Sequence, residues 1–267
     1  MRALVTNDDG IGSRGLSVLA RVALDAGFDV TVAAPASEYS GASAALFGVE
    51  EDGRLVVERK APPGLPAGVE AFAVGAAPGL IAFLAAHGGF GGRPDLVLSG
   101  VNRGPNTGHA VIHSGTVGAA MSAMTHGIHG MAVSLDAADP VHWESAGLVA
   151  AHGLRWFLEQ PAADGVLNVN VPDLPPDEVR GVRRAPLARF GAVQARVDLL
   201  DQEGLDLQVS YEEVDRSVDA ASDAGLLAAG WATMSLLQAP CWSPEADLPE
   251  LDRLPGGVRD GHGSPAG

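Results

Sequence analysis

Two adjacent carboxylates, Asp8 and Asp9, stand at the end of the first apolar run of this 267-residue chain, in Thr6-Asn7-Asp8-Asp9-Gly10. Like charges at a strand terminus repel one another unless a cation holds them, so the pair points to metal chemistry. Hard divalent cations take oxygen donors, and two carboxylates supplemented by hydroxyl or amide oxygens suit magnesium or manganese. The plainer alternative is a solvated turn in which Asp8 caps the helix that follows.

The next residues, Gly10-Ile11-Gly12-Ser13-Arg14-Gly15, form a G-x-G-x-x-G between an expected strand and an expected helix, the spacing of a dinucleotide fingerprint. Two features oppose that reading. Asp8 and Asp9 would face a pyrophosphate, and the second expected strand ends at Ala33-Ala34-Pro35 without the acid that holds an adenosine ribose. The chain contains no G-x-x-x-x-G-K-[ST], which disfavours a P-loop nucleoside triphosphatase. Hydrolysis by metal-activated water fits these residues better.

The elements that must position such a site follow from hydrophobic patterning. Residues 3–6 read as a short buried strand, and Leu16, Leu19, Ala20, Ala23 and Leu24 as a helix face ending at Gly27. Residues 30–34 add a second strand, so the chain opens as a βαβ unit whose crossover should be right-handed. Residues 53–68 read as a proline-rich excursion. A helix is expected over 78–87, and the apolar strand 95–99 delivers Gly100-Val101-Asn102-Arg103-Gly104-Pro105-Asn106 to its C-terminal end, where open α/β sheets bind ligands. Ser114-Gly115-Thr116 opens another helix, with its hydroxyls in capping territory. Strands at 131–134 and 168–172 and a helix at 148–158 continue the alternation, which is lost from about 176 to 215. The predicted fold is a Rossmann-like, mostly parallel α/β sheet with helices on both faces, followed by extended hairpin and helix elements suited to oligomer contacts.

Composition narrows the partners. With 17 Lys plus Arg against 33 Asp plus Glu, the formal charge of −16 would repel a polyphosphate backbone and excludes long nucleic acid. A small anion remains acceptable if a metal and backbone N–H groups provide local positive potential. A single cysteine, Cys241, permits no intrachain disulfide or thiolate metal cluster. The short N-terminal apolar run and the seven residues 80–86 are too brief for a signal peptide or a membrane span, and the expected location is the cytoplasm.

The motifs Thr6 to Ile11, Pro35 through Ser40-Gly41, Pro94 to Gly104 with Asn106-Thr107-Gly108, Ser114 to Ala120, Asn168 to Pro172, and Ser222-Asp223 with Ala229-Gly230-Trp231 occur in the order found in one family. Through them the chain resembles the SurE family of survival-protein nucleotidases, which hydrolyse nucleoside 5'- and 3'-monophosphates. That resemblance implies one divalent metal ion per subunit, magnesium or manganese, held by Asp8, Asp9, Ser40 and Asn102, with Asp8 and Asp9 central to catalysis. It places Asn7, Asn106, Ser114, Gly115 and Thr116 at the substrate phosphate, with simple helix capping as the alternative for Ser114 and Thr116. His109 and His113 flank that loop and could assist proton transfer, although surface or packing histidines are the commoner case. The resemblance also implies a homodimer or homotetramer assembled through residues 176–240.

The expected organisation is one unit over residues 1–242, with a core of about 1–175, an oligomerisation extension of about 176–242, and a disordered tail over 243–267. The chain departs from the family pattern at Ala76, Ala77 and Leu80, where a glycine-threonine-proline followed by an aspartate is usual, and at Ser122, where an acid is usual. A relative that kept the fold and binds nucleotides without turnover is the alternative these departures raise.

Overall fold

The computed structural model describes residues 1–162, 165–189, 193–199, 207–213 and 219–238. The predicted βαβ opening is present: β1 (Arg2–Thr6), α1 (Arg14–Asp25) and β2 (Asp29–Pro35), with β1 and β2 parallel. The excursion that follows holds three short strands, β3 (Glu50–Glu51), β4 (Arg54–Leu55) and β5 (Val57–Arg59), before β6 (Glu70–Val74) and α2 (Pro78–Ala86). The alternation then runs β7 (Leu96–Arg103), α3 (Gly115–Met124), β8 (His129–Asp136), α4 (Trp143–Phe157) and β9 (Val166–Pro172). A 3-10 turn over Gly108–His113 joins β7 to α3.

Nine strands form the main sheet, in the order β10-β13-β9-β8-β7-β1-β2-β6-β5. Here β10 is Val182–Arg184 and β13 is Ala232–Leu237, so residues on both sides of position 175 build the sheet. Between them lie the antiparallel pair β11 (Val193–Leu199) and β12 (Leu207–Glu213) and the helix α5 (Asp223–Ala228). The pair agrees with the expected loss of αβ alternation there; the tail beyond residue 242 lies outside the described residues.

Two apolar layers cover the sheet. On one face α1 and α4 pack together over β1, β7, β8 and β9, burying Leu16, Leu19, Ala146, Leu154 and Phe157 among Val5, Leu98, Met131 and Val169. On the other, α2 and α3 pack together, with Ile81, Ala85 and Ala123 over Leu4, Ala33 and Val97. The connections β7–α3–β8 and β8–α4–β9 step in the same direction across the parallel sheet yet put their helices on opposite faces. The two crossovers therefore have opposite hands, and one departs from the right-handed preference seen in about 98% of such units.

Strand order reverses between β1 and β7: the chain leaves β1 toward β2 and leaves β7 toward β8. Such a switch point opens a crevice beyond the strand C-termini. Gly15 closes its base, because α1 crosses β7 so tightly that a Cβ on Gly15 would lie 2.3 Å from the Val101 carbonyl oxygen. Gly15→Ala is expected to lower stability by about 1–3 kcal/mol through overpacking. Gly12→Ala, with nothing within 4 Å of its new Cβ, should leave the urea midpoint nearly unchanged, and equal midpoints for the two variants would refute the close-approach argument.

Candidate active site

Asp8 and Asp9 leave the end of β1 directly into the crevice. Ser13, not Asp8, caps α1, its side chain accepting from the Gly15 N–H, so the capping alternative for Asp8 is set aside. The glycine-rich segment acts as a tight turn: the Gly10 carbonyl accepts from both the Asn7 amide and the Ser13 N–H. Asn7 is fully buried, and its Oδ1 has no partner among the described residues.

Asp8 is also buried, at 4% exposure. The start of α3 is brought against it by three consecutive residues with separate tasks. Ser114 caps the helix by accepting from the Val117 N–H at 3.1 Å. Gly115 permits the approach, since a Cβ there would be 2.9 Å from both Cβ and Oδ2 of Asp8. Thr116 donates its hydroxyl to Asp8 Oδ1. The capping alternative therefore describes the Ser114 side chain, whereas Thr116 holds the carboxylate.

Asp9 is gripped from β7. The Arg103 N–H donates to Oδ2 at 3.2 Å and the Arg103 Nε to Oδ1 at 3.1 Å. The same guanidinium reaches Glu38 at 3.6 Å, and Glu38 accepts from the Ser40 hydroxyl at 2.7 Å. Asn102 spends its amide N–H groups on the Gly104 and Arg103 carbonyls, at 2.7 and 3.3 Å, so no described donor reaches its Oδ1. Asp8, Asp9, Ser40 and Asn102 thus follow three neighbouring strands, β1, β2 and β7, and are linked through Arg103 and Glu38. Two carboxylates, a hydroxyl with free lone pairs and an uncommitted amide oxygen form an all-oxygen set that fits a hard divalent cation.

Burial pushes the Asp8 carboxyl up to about 6; the Thr116 hydrogen bond opposes the rise and the neighbouring Asp9 charge adds to it. Asp9 is also raised by burial, against the hydrogen bond and positive charge of Arg103. Net negative charge held out of water with partial compensation is the electrostatic setting in which a cation gains most.

The loop after β7 is held by groups that patterning alone did not identify. Asn170 clamps the main chain of Asn106 from both sides, accepting its N–H at 2.7 Å and donating to its carbonyl at 2.9 Å. Asn168 donates to the same carbonyl, and the Asn106 amide donates to Ser134. Asp223, fully buried at the start of α5, accepts from the N–H groups of Gly108, Ala188 and Ala224, each at 2.8 Å. Asn168 and Asn170 are two residues apart on an otherwise apolar strand, so they share a face. That spacing was the available signal; Arg103 and Asp223 had none outside the tertiary fold. His109 is exposed, and neither it nor His113 has a described contact with the carboxylates.

A cleft of about 270 Å³ adjoins the carboxylates, lined by Asp9, Gly12, Ser13, Arg14, Arg103 and Trp143. No helix among the described residues is long and apolar enough to cross a membrane.

Comparison with known proteins follows the same residues. A family model described as "Survival protein SurE" matches residues 3–194. The "5'-nucleotidase SurE" of Methylococcus capsulatus is 39% identical over 208 residues, 78% of each chain. The "5'/3'-nucleotidase SurE" of Shigella dysenteriae serotype 1 is 39% identical over 184 residues, 68% of each chain. Among solved structures, the SurE protein from Aquifex aeolicus is similar with a TM-score of 0.72 and 28% identity, over 89% of this chain and 93% of that one.

The raised Asp8 carboxyl has a sign that can be checked. With a folded pKa near 6 against 3.8 for the free group, the folded state holds the extra proton between those values, so the residue's cost appears as pH rises through that window and is complete above it. In excess chelator, Asp8→Asn should therefore stabilise the protein at pH 8 by up to about 3 kcal/mol and confer no gain at pH 3.5. Urea unfolding at both pH values measures this; a variant that is less stable at pH 8 would contradict the buried-charge account.

Proposed function

The chain belongs to the SurE family, and from that membership together with the carboxylate pair we propose that it is a phosphomonoesterase hydrolysing nucleoside 5'- and 3'-monophosphates to nucleoside and inorganic phosphate. The observation that carries the reading is Asp8 and Asp9 side by side at the switch point, with the Asn102 amide oxygen on the adjacent strand β7 and the Ser40 hydroxyl in the loop after β2. One divalent ion per subunit, magnesium or manganese, would be held by Asp8, Asp9, Ser40 and Asn102. Such an ion supplies positive charge against the phosphoryl oxygens and acidifies a water for attack.

The remaining work falls to the chain itself. Thr116 holds Asp8 in one orientation, leaving Oδ2 as its second acceptor oxygen. Arg103 satisfies both oxygens of Asp9, so cation binding there requires the guanidinium to share or yield Oδ1. The phosphate lies against the start of α3, where Ser114, Gly115 and Thr116 present hydroxyl and N–H groups at a helix N-terminus, with Asn7 and Asn106 assigned to the same anion. A carboxylate oxygen of Asp8 or Asp9 not engaged by the cation accepts the proton from water. The reaction is placed in the cytoplasm.

The active form is proposed to be a homodimer or homotetramer. Its assembly surface is the stretch 176–240, where the β11–β12 pair stands apart from the main sheet as a separate two-stranded ribbon.

Phosphate release from a panel of nucleoside monophosphates should require added magnesium or manganese and fall at least about a hundredfold in Asp9→Asn, the scale for losing charge stabilisation at a developing anion. Folded native protein that releases no phosphate with either ion would defeat the nucleotidase reading and leave nucleotide binding without turnover. Light scattering is expected to give two or four chains per particle; a folded monomer at micromolar concentration would remove the assembly.

A further inference from the structure

The catalytic groups explain the cleft at the head of α1 but not the groove that continues from it between α1 and α4. This groove encloses about 550 Å³, and its walls include Val18 and Val22 of α1 and Trp143, Gly147 and Leu148 of α4, with Arg14 at its head. Arg14 and Trp143 also line the 270 Å³ cleft that contains Asp9 and Arg103, so the two spaces share walls at the catalytic end.

Three physical features mark it as a ligand site. Its volume lies within the roughly 300–1,000 Å³ of small-molecule sites, which combine apolar walls with a few polar groups. Leu148 is 61% exposed although it faces a concave apolar surface. Arg14 is exposed at the junction and forms no ion pair with any described carboxylate, so a cationic group stands free between the reacting end and the apolar end. A ligand matching this order has an anionic head, a polar middle and a flat, largely apolar far end.

We propose that the groove is the nucleoside subsite of this enzyme, with the phosphate at the carboxylates, the ester oxygen and ribose beside Arg14, and the base along the apolar walls by Trp143, Gly147 and Leu148. The assignment deepens the nucleotidase reading and rests on it. Gly147 is the informative position: a Cβ there would meet only Val18 Cγ1, at 3.4 Å, an ordinary contact, so a larger side chain grows into the groove without forcing the helices apart. Helix propensity also favours replacing a glycine inside α4.

The test compares native protein with Gly147→Leu on adenosine and uridine monophosphates and on glycerol phosphate, which has the ester but no base. The variant is expected to lose kcat/KM for the nucleotides at least about tenfold more than for glycerol phosphate, chiefly through KM, the scale on which a filled apolar pocket discriminates. Calorimetric titration with adenosine and uridine should show weaker binding by a similar factor. Equal losses on all esters, or unchanged nucleoside binding, would overturn the subsite. If native protein hydrolyses none of these esters, the nucleotidase reading fails; nucleoside binding that Gly147→Leu abolishes would still establish the groove as a nucleoside site. Should the variant instead dissociate an oligomer in light scattering while keeping its selectivity, the groove is a contact between copies and the proposal is wrong.

Discussion

Buried negative charge at the end of β1 is the constraint on which the site depends. Asp8 is almost wholly removed from water, its neighbour Asp9 is nearly so, and both carboxyls are pushed upward by that burial. Such a pair persists because other elements converge on it. Helix α3 brings Thr116 to Asp8, β7 brings Arg103 to Asp9, and the loop after β2 brings Glu38 and Ser40 to the far side of Arg103. Gly15 and Gly115 are the points where helix meets strand or carboxylate without room for a Cβ. The close packing of this end of the sheet and its electrostatics are therefore one arrangement.

A second layer connects the C-terminal part of the chain to the same place. Asp223, from α5, fixes the Gly108 N–H, while Asn168 and Asn170, from β9, fix the main chain of Asn106. Because β13 pairs with β9 and β10 pairs with β13, the segment beyond residue 180 completes the sheet and holds the loop that leads into α3. The elements suited to assembly and those that shape the phosphate loop are thus covalently continuous. Buried polar groups that satisfy backbone N–H and C=O in this way rigidify a loop that has no strand partners of its own.

Local patterning carried much of the fold. The opening βαβ unit, the apolar strand feeding Asn102 and the helix begun by Ser114 were legible because hydrophobic periodicity, glycine turns and hydroxyl caps act over a few residues. The carboxylate pair was legible for a similar reason, since adjacency of like charges is visible without a fold. Arg103 was not, because its role depends on β7 lying beside β1, a pairing between residues more than ninety positions apart. Asp223 was unreadable on the same ground: nothing near it in sequence says that it will be buried against Gly108.

The amino-acid sequence by itself determined the class of the protein, the all-oxygen donor types and the strand ends that present them, because residue chemistry and short-range geometry suffice for those. Only the tertiary structure decided which partners hold each carboxylate and on which face α4 lies. A crossover's hand is a property of whole elements packing against a sheet, and here two successive connections of opposite hand put α4 beside α1. That choice creates the groove at the catalytic end, which periodicity within either helix could not specify, since the same apolar stripe would pack on either face.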